Sequence, residues 1–317
     1  MRIILFLGLS ELKPRIKQMA EPEFRFFTRT ELEPQQFRLV EILWIDVSVR
    51  VDAKFLKEFP SLRIVVCSTT GETHVDKQEL EKNKICFVNL RNHVKFLMSI
   101  STSAEHAWLL LMAANSSLMR SVEIAKSDDW NWAKIVKYEL KDKSLGIIGF
   151  GRIGLKLSKF AESFGMKVVV FDKYKQIRQI DSYTVAESIE DLLRISDFVV
   201  ISASVEPGDE PIIGANELAL LGKSTVLVNI ARGCLVDENA VIKALQNESL
   251  GFYASDVLTF EEFGKDSKYY ENLKFQLLQS DKALITPHVG GYSIDAREKC
   301  DIHLLDLLKT GSCECEL

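Results

Sequence analysis

The chain has 317 residues, of which 47% are hydrophobic and 27% charged, with a formal net charge of −5. That is enough chain for two domains of ordinary size, each with its own core. The acidic balance gives no electrostatic footing for nucleic acid or an anionic membrane surface, so neither partner is expected.

The first nine residues, MRIILFLGL, lead into charged residues with no small-residue cleavage site, so they read as a first strand rather than a leader. No apolar run reaches the ~20 residues of a membrane helix. From residue 1 to about 92, strand and helix patterns alternate: a strand over 3–7, a helix near 12–19, and strands over 24–27 and 42–45. A helix over 53–58, ended by Pro60, and strands over 63–67 and 85–89 follow. This β-α-β alternation predicts a parallel sheet with helices on both faces. The polar stretch 68–76, STTGETHVD, stands at the carboxyl end of a strand, where open α/β sheets bind ligands; it is equally readable as a plain connection. A helix over 99–120 has few charges and must be buried, suited to packing between two domains, and His106 on it reads as a packing histidine. A polar stretch, 126–143, carrying Trp130 and Trp132, leads onward.

The segment 144–172, SLGIIGFGRIGLKLSKFAESFGMKVVVFD, organises the rest: an apolar run, a glycine turn at Gly149, Gly151 and Gly154, a helical pattern, and a second apolar run closing on Asp172. Gly149 allows a tight turn, Gly151 lets a pyrophosphate approach the backbone, and Gly154 lets the helix lie close on its strand. The helix N-terminus then faces the anion. Asp172 is placed to accept from an adenosine ribose diol or to cap the following turn. Helices over 185–195, 215–221 and 238–246 alternate with strands over 198–202, 225–229, 252–256 and 283–286, and 205–211 is a loop. Counted from Leu145 these make six strands, a complete dinucleotide fold. The amphipathic stretch 294–308 has too little chain after it to form a domain and is expected to cross back to the first. The expected domains are therefore 1–95 with 293–317, discontinuous, and 96–292. The fold class is α/β, with two doubly wound parallel sheets and a Rossmann domain inserted into the other.

Three polar side chains follow successive strands of the second domain, and the carboxyl ends of a parallel sheet share one crevice. Arg232 offers a planar fork that matches a carboxylate. His288 can exchange a proton near neutral pH, and Glu261 beside it would orient the ring and favour the imidazolium. The six cysteines, Cys67, Cys86, Cys234, Cys300, Cys313 and Cys315, are scattered, and free thiols in a reducing cytosol are expected, with no metal site.

From Ile42 onward the chain resembles the D-isomer-specific 2-hydroxyacid dehydrogenase family. The matching pieces are Thr69-Thr70-Gly71 with Val75-Asp76, STSAEH over 101–106, the glycine unit, VNIARG over 228–233, Val236-Asp237-Glu238, Asp256-Val257 with Glu261, and TPHVGG over 286–291. The resemblance implies NAD as cofactor, a flavodoxin-like substrate domain and a cytoplasmic homodimer. It implies that Arg232 holds the substrate carboxylate with the amides of Thr70 and Gly71, that His288 is the acid/base and that Glu261 is its partner. Cofactor contacts are implied for Thr102, Gly149, Gly151, Arg152, Ile153, Gly154, Asp172, Ala231, Asp256 and Gly290, with Asp256 at the nicotinamide amide.

The motifs look closest to the phosphoglycerate-dehydrogenase-like branch, with departures. Glu262 stands where a proline is common, and Ser204-Val205-Glu206 replaces a His-x-Pro. Cys67 stands where an arginine often meets the substrate phosphate, although Lys82, Arg91, His93 or Lys95 could supply charge. The expected activity is interconversion of a D-2-hydroxy acid and its 2-keto acid. A non-catalytic NAD(H) sensor and an oxidoreductase for a small inorganic or one-carbon acid are the alternatives.

Overall fold

The computed structural model describes residues 2–8, 14–205, 210–259, 261 and 268–311. The chain divides into two compact units, Met1–Ile100 with Ser293–Leu317, and Ser101–Tyr292.

In the first unit the short apolar runs form five parallel strands, β1 (Arg2–Leu7), β2 (Phe24–Thr28), β3 (Ile42–Ile45), β4 (Ile64–Cys67) and β5 (Cys86–Asn89). Their order is the flavodoxin-like β2-β1-β3-β4-β5. Successive side chains of a strand point to opposite faces. Ile4, Phe6, Ile42, Trp44, Ile64 and Val66 accordingly pack on one side with Leu304, Leu305 and Leu308 of the closing helix Ile294–Thr310. Leu5, Leu7, Leu43, Ile45, Val65 and Cys67 pack on the other with Leu56, Phe59 and Leu80. A sheet covered on both faces needs strands that are apolar throughout, which is why these runs do not alternate. The Ser293 hydroxyl caps the closing helix by accepting from Ala296 N at 3.1 Å, and Gly311, at φ +63°, ends it. The first helix is Pro14–Ala20; residues 12 and 13 of its predicted span lie outside the described residues.

The second unit carries a seven-stranded parallel sheet: β6 (Ser144–Ile148), β7 (Lys167–Phe171), β8 (Thr184–Val185), β9 (Phe198–Ile201), β10 (Val226–Asn229), β11 (Phe252–Ser255) and β12 (Ala283–Ile285). The order β12-β11-β10-β9-β6-β7-β8 reverses between β6 and β9, the switch point of a Rossmann sheet. Three features depart from the sequence reading. β8 is an edge strand where a helix was predicted to begin; the helix is Ile189–Arg194, started by the Ser188 hydroxyl accepting from Asp191 N. The single helix over 99–120 is two, Thr102–Asn115 and Leu118–Lys126, broken at Ser117 with φ +46°. Asn115 and Ser117 turn their side chains to the backbone of Tyr138 and Val136, and this pulls the chain out of the helix. A helix at Lys268–Leu278 was not foreseen.

One cysteine also differs from the expected free thiols, while three of the described ones match. Cys86 is disulfide-bonded, because the fold decides which sulfurs meet and scattered spacing does not reveal it. Cys67, Cys234 and Cys300 are thiols, while Cys313 and Cys315 lie outside the described residues. Among the described residues no helix is long and apolar enough to cross a membrane.

Candidate active site

The glycine unit stands at the switch point. Gly149 has φ +91°, and a Cβ there would lie 2.4 Å from the Cα of Ala203 at the end of β9. Gly154 lies against the turn itself, where a Cβ would come within 2.5 Å of Gly149 O. Gly151 meets nothing within 4 Å of an added Cβ, so an open approach leads to the N-terminus of the helix Arg152–Ser163. Its first-turn amides have no side-chain cap, which suits a pyrophosphate. Arg152 and Ile153 are half-buried in that first turn. Asp172 uses one carboxylate oxygen to accept from Phe150 N at 2.8 Å and the other to accept from Tyr174 N and Lys175 N, both at 3.0 Å. It therefore caps the turn after β7 and also braces the glycine turn.

Three loops at the carboxyl ends of β10, β11 and β12 hold the acid/base candidates, and buried polar groups fasten them together. After β10, the side chain of Asn229, which is fully buried, accepts from Ala231 N at 3.0 Å and donates to Arg232 O at 2.9 Å. Arg232 is half-buried, and its Nη1 donates to Ala231 O at 2.7 Å. Gly233 lets this loop press on the next, since a Cβ would lie 2.1 Å from Leu258 C and Thr259 N. Thr259 N in turn donates to the buried carboxylate of Glu238 at 2.8 Å. Glu261 Oε1 accepts from Leu258 N at 2.9 Å, and its Oε2 lies 2.5 Å from His288 Nδ1. The structure thus joins His288 to Glu261 and sets Arg232 on the adjoining loop.

His288 has φ +54°, a left-handed conformation that disfavours a non-glycine residue by about 1–2 kcal/mol. Asp256 opposes that: its carbonyl accepts from His288 N at 2.8 Å, and its carboxylate accepts from Val289 N at 2.9 Å, Gly290 N at 2.7 Å and Thr286 Oγ1 at 2.6 Å. Burial raises the Asp256 pKa, but hydrogen bonds from His106, Thr286, Gly290 and Val289 outweigh it and hold the group below the usual carboxylate range. Asp256 was expected at the nicotinamide amide; it is 2% exposed, and its carboxylate is occupied with the His288 turn. His106, read as a packing residue, has its Nε2 3.2 Å from Asp256 Oδ1 and 3.0 Å from Thr286 Oγ1. Ala231 and Gly290 are buried in these loops, and Thr102 opens the helix that carries His106.

The loop with Thr70 and Gly71 belongs to the first unit. Both residues are half-buried; Thr69 Oγ1 donates to Gly71 O at 3.3 Å, and Leu90 N donates to Thr69 O. Glu72 anchors the loop, accepting from Asn89 Nδ2 and Lys77 Nζ at 2.7 Å and from Arg91 Nη1 at 2.9 Å. Burial raises the Glu72 pKa, yet Lys77, Asn89 and Arg91 bring it below the ordinary value. Behind the loop, buried Cys67 has its sulfur 3.2 Å from Thr69 Oγ1 and 3.5 Å from His74 Nε2. Of the charges considered for a substrate phosphate, Arg91 is paired with Glu72, Lys82 with Glu79, and His93 with His303. The departures Glu206 and Glu262 lie outside the described residues.

Sequence position located Arg232, Glu261 and His288, but it missed Asn229, Glu238, Thr286 and His106 as their supports. All four lie inside the quoted motifs, His106 as the last residue of STSAEH, and that was the available signal.

Residues 108–290 match the family model described as D-isomer specific 2-hydroxyacid dehydrogenase, NAD binding domain. The chain is 31% identical to a glyoxylate reductase of Thermococcus kodakarensis over 92% of this chain and 85% of that one. It is 29% identical to a glycerate dehydrogenase of Methylorubrum extorquens over 96% and 94% of the two chains. Its fold matches a D-lactate dehydrogenase from Aquifex aeolicus, solved with NAD and lactic acid, with TM-score 0.78 and 20% identity over 98% and 95% of the two chains. With two parallel sheets in flavodoxin-like and Rossmann strand orders and the glycine turn of an NAD-binding domain at the switch point of the second, the chain belongs to the D-isomer-specific 2-hydroxyacid dehydrogenase family.

Proposed function

We propose that the protein is an NAD-dependent dehydrogenase that interconverts a small, unphosphorylated D-2-hydroxy acid and its 2-keto acid. The observation that carries this is the His288 Nδ1 to Glu261 Oε2 contact of 2.5 Å, built on loops that also position Arg232. NAD, when bound, supplies or accepts the hydride. Arg232 holds the substrate carboxylate with the remaining donors of its fork, assisted by the Thr70 and Gly71 amides of the unit Met1–Ile100 with Ser293–Leu317, which acts as the substrate domain. Because Glu261 occupies Nδ1, His288 works through Nε2. It gives a proton to the carbonyl oxygen in reduction and takes one from the hydroxyl in oxidation. Gly149, Gly151, Gly154, Arg152 and Ile153 cradle the pyrophosphate, Asp172 meets the adenosine ribose, and Thr102, Ala231 and Gly290 border the nicotinamide side.

The engagement of Arg91 and His93 within the unit, and the names glyoxylate reductase and glycerate dehydrogenase of two relatives, support an acid without a phosphate over the phosphoglycerate-like branch. A homodimer through the second unit is part of the proposal. Leu109, Leu118, Met119 and Val122 are exposed on its two successive helices, as are Trp130 and Trp132 just beyond them. The test is a panel of 2-keto acids, glyoxylate, hydroxypyruvate, pyruvate and phosphohydroxypyruvate, with NADH, following loss of nicotinamide absorbance. Turnover of an unphosphorylated acid is expected. Binding of NADH without turnover of any acid would replace the enzyme by a cofactor sensor.

A further inference from the structure

A left-handed histidine is held only where its neighbours over-determine it. At His288 those neighbours converge on one residue, since three consecutive amides, 288 to 290, donate to Asp256. An ionised carboxylate only accepts, so the Thr286 hydroxyl, 2.6 Å from Asp256 Oδ1, is the donor in that contact. Thr286 Oγ1 then accepts from His106 Nε2 at 3.0 Å, which fixes Nε2 as a protonated nitrogen of His106. The same N–H also faces Asp256 Oδ1 at 3.2 Å.

The His106 ring is seated as well as bonded. A Cβ on Gly290 would fall 3.0 Å from His106 Cδ2 and 2.8 Å from Asp256 Oδ2, so the His288 loop closes on both groups only because Gly290 has none. The helix that carries the ring is anchored by Ala104, Ala107, Leu110 and Leu111, all buried in the core of this unit. Its side chain is 14% exposed. The ring therefore ties the His288 loop to a rigid element through one N–H.

We infer that His106 is a positioning residue for the reaction: its Nε2–H, acting through Thr286 and Asp256, fixes the backbone turn that aims His288, and it exchanges no proton with the substrate. The inference rests on the reading of His288 as the acid/base. It separates the N–H of His106 from its bulk, which a packing role would not do.

The test compares His106→Gln, His106→Phe and Thr286→Val with the wild type in kcat and KM for an active keto acid, in NADH affinity by fluorescence, and in melting temperature. Glutamine can place an N–H near the Nε2 position, whereas phenylalanine keeps the flat ring and loses the donor. His106→Phe is expected to lower kcat by about 10- to 100-fold, as a misaimed catalytic group does, with NADH affinity within about threefold; His106→Gln should stay within about threefold of wild-type kcat by the same reasoning. Thr286→Val breaks the same link and should resemble His106→Phe, and the double variant should be no worse than the worse single one. Wild-type kcat in His106→Phe, or equal losses in His106→Gln and His106→Phe, would overturn the inference. Should His106→Phe fail to fold, wild-type kcat in Thr286→Val does so instead. His288→Gln in the same assay separates the two levels: if it remains fully active, the acid/base reading itself falls, and if it is dead while His106→Phe and Thr286→Val are unimpaired, only the role of His106 falls.

Discussion

Substitution of Arg232 by lysine tests the carboxylate-binding role without removing the charge. In the structure Nη1 of Arg232 donates to Ala231 O at 2.7 Å, so the guanidinium is braced by its own loop through one donor, and on the proposed reading the rest of the fork meets the ligand. Lysine keeps one mobile cation and loses both the brace and the paired donors. Loss of one hydrogen bond to a charged group is worth about 1.5–3 kcal/mol, a factor of about 10 to 150 in kcat/KM. The loop should survive, because Asn229 holds residues 231 and 232 through their backbones and Gly233 keeps its contact with Leu258. The assay is kcat/KM for the best keto acid, alongside NADH affinity, which should change less than about threefold on the same argument. Unchanged kcat/KM for every active acid would remove Arg232 from substrate binding. An equal loss of NADH affinity would mean that the loop, rather than the fork, had been damaged.

Glu261→Gln should lower kcat by about 10- to 100-fold, since an amide cannot balance the charge that His288 carries in reduction; a wild-type kcat would dismiss Glu261 as the partner. Keto-acid reduction should slow as pH rises and hydroxy-acid oxidation as it falls, because His288 donates in one direction and accepts in the other; parallel profiles would contradict that. The wild type should use NADH better than NADPH, and Asp172→Ala should lose much of the preference, because Lys175 is held on Phe150 O at 3.2 Å and Lys173 lies against the Tyr174 ring; better use of NADPH by the wild type would refute it. Asp256→Asn should destabilise at pH 7 by about 1–3 kcal/mol, because the amide leaves an N–H of the His288 turn without its acceptor. The folded-state pKa of Asp256 is depressed, so its contribution is present above the unfolded value of about 3.9 and is lost as pH falls through the folded one. The difference in melting temperature between wild type and variant should therefore narrow below about pH 4, and a constant difference would exclude the carboxylate as its source. Leu109→Glu with Met119→Glu should convert a dimer to a monomer by light scattering, and an unchanged mass would place any interface elsewhere.

What was legible in the sequence was what repeats locally. β3 and helix Glu238–Gln246 fall where periodicity put them, because a four-residue apolar run and an amphipathic nine-residue stretch carry their own signal. β8 did not, since two residues have no period and pair only because β7 offers an edge. The break at Ser117 depends on Asn115 meeting Tyr138, 23 positions away, and no window over the helix contains both. Asp172 was legible as an important carboxylate but not as a brace, because its bond to Phe150 N depends on how closely β7 lies beside the glycine turn.

The same distinction runs through the site. Arg232, Glu261 and His288 stand in short motifs after strands, so topology alone gathers them at one sheet edge. What aims them is contributed by residues far off in sequence: Glu238 reaches Thr259, and His106 reaches Thr286 across 180 positions. Glu238 is fully buried and His106 is 14% exposed, and polar groups taken out of water must find partners, so each one turns a loose loop into a defined one. The proposed acid/base pair is consequently assembled entirely within Ser101–Tyr292 and braced there by Asp256, while the Thr70–Gly71 loop is fixed independently by Glu72 with Lys77, Asn89 and Arg91. Each unit thus orders its own loop by its own hydrogen bonds. Substitutions at Glu72 should therefore act on KM for the keto acid, whereas those around Asp256 act on kcat.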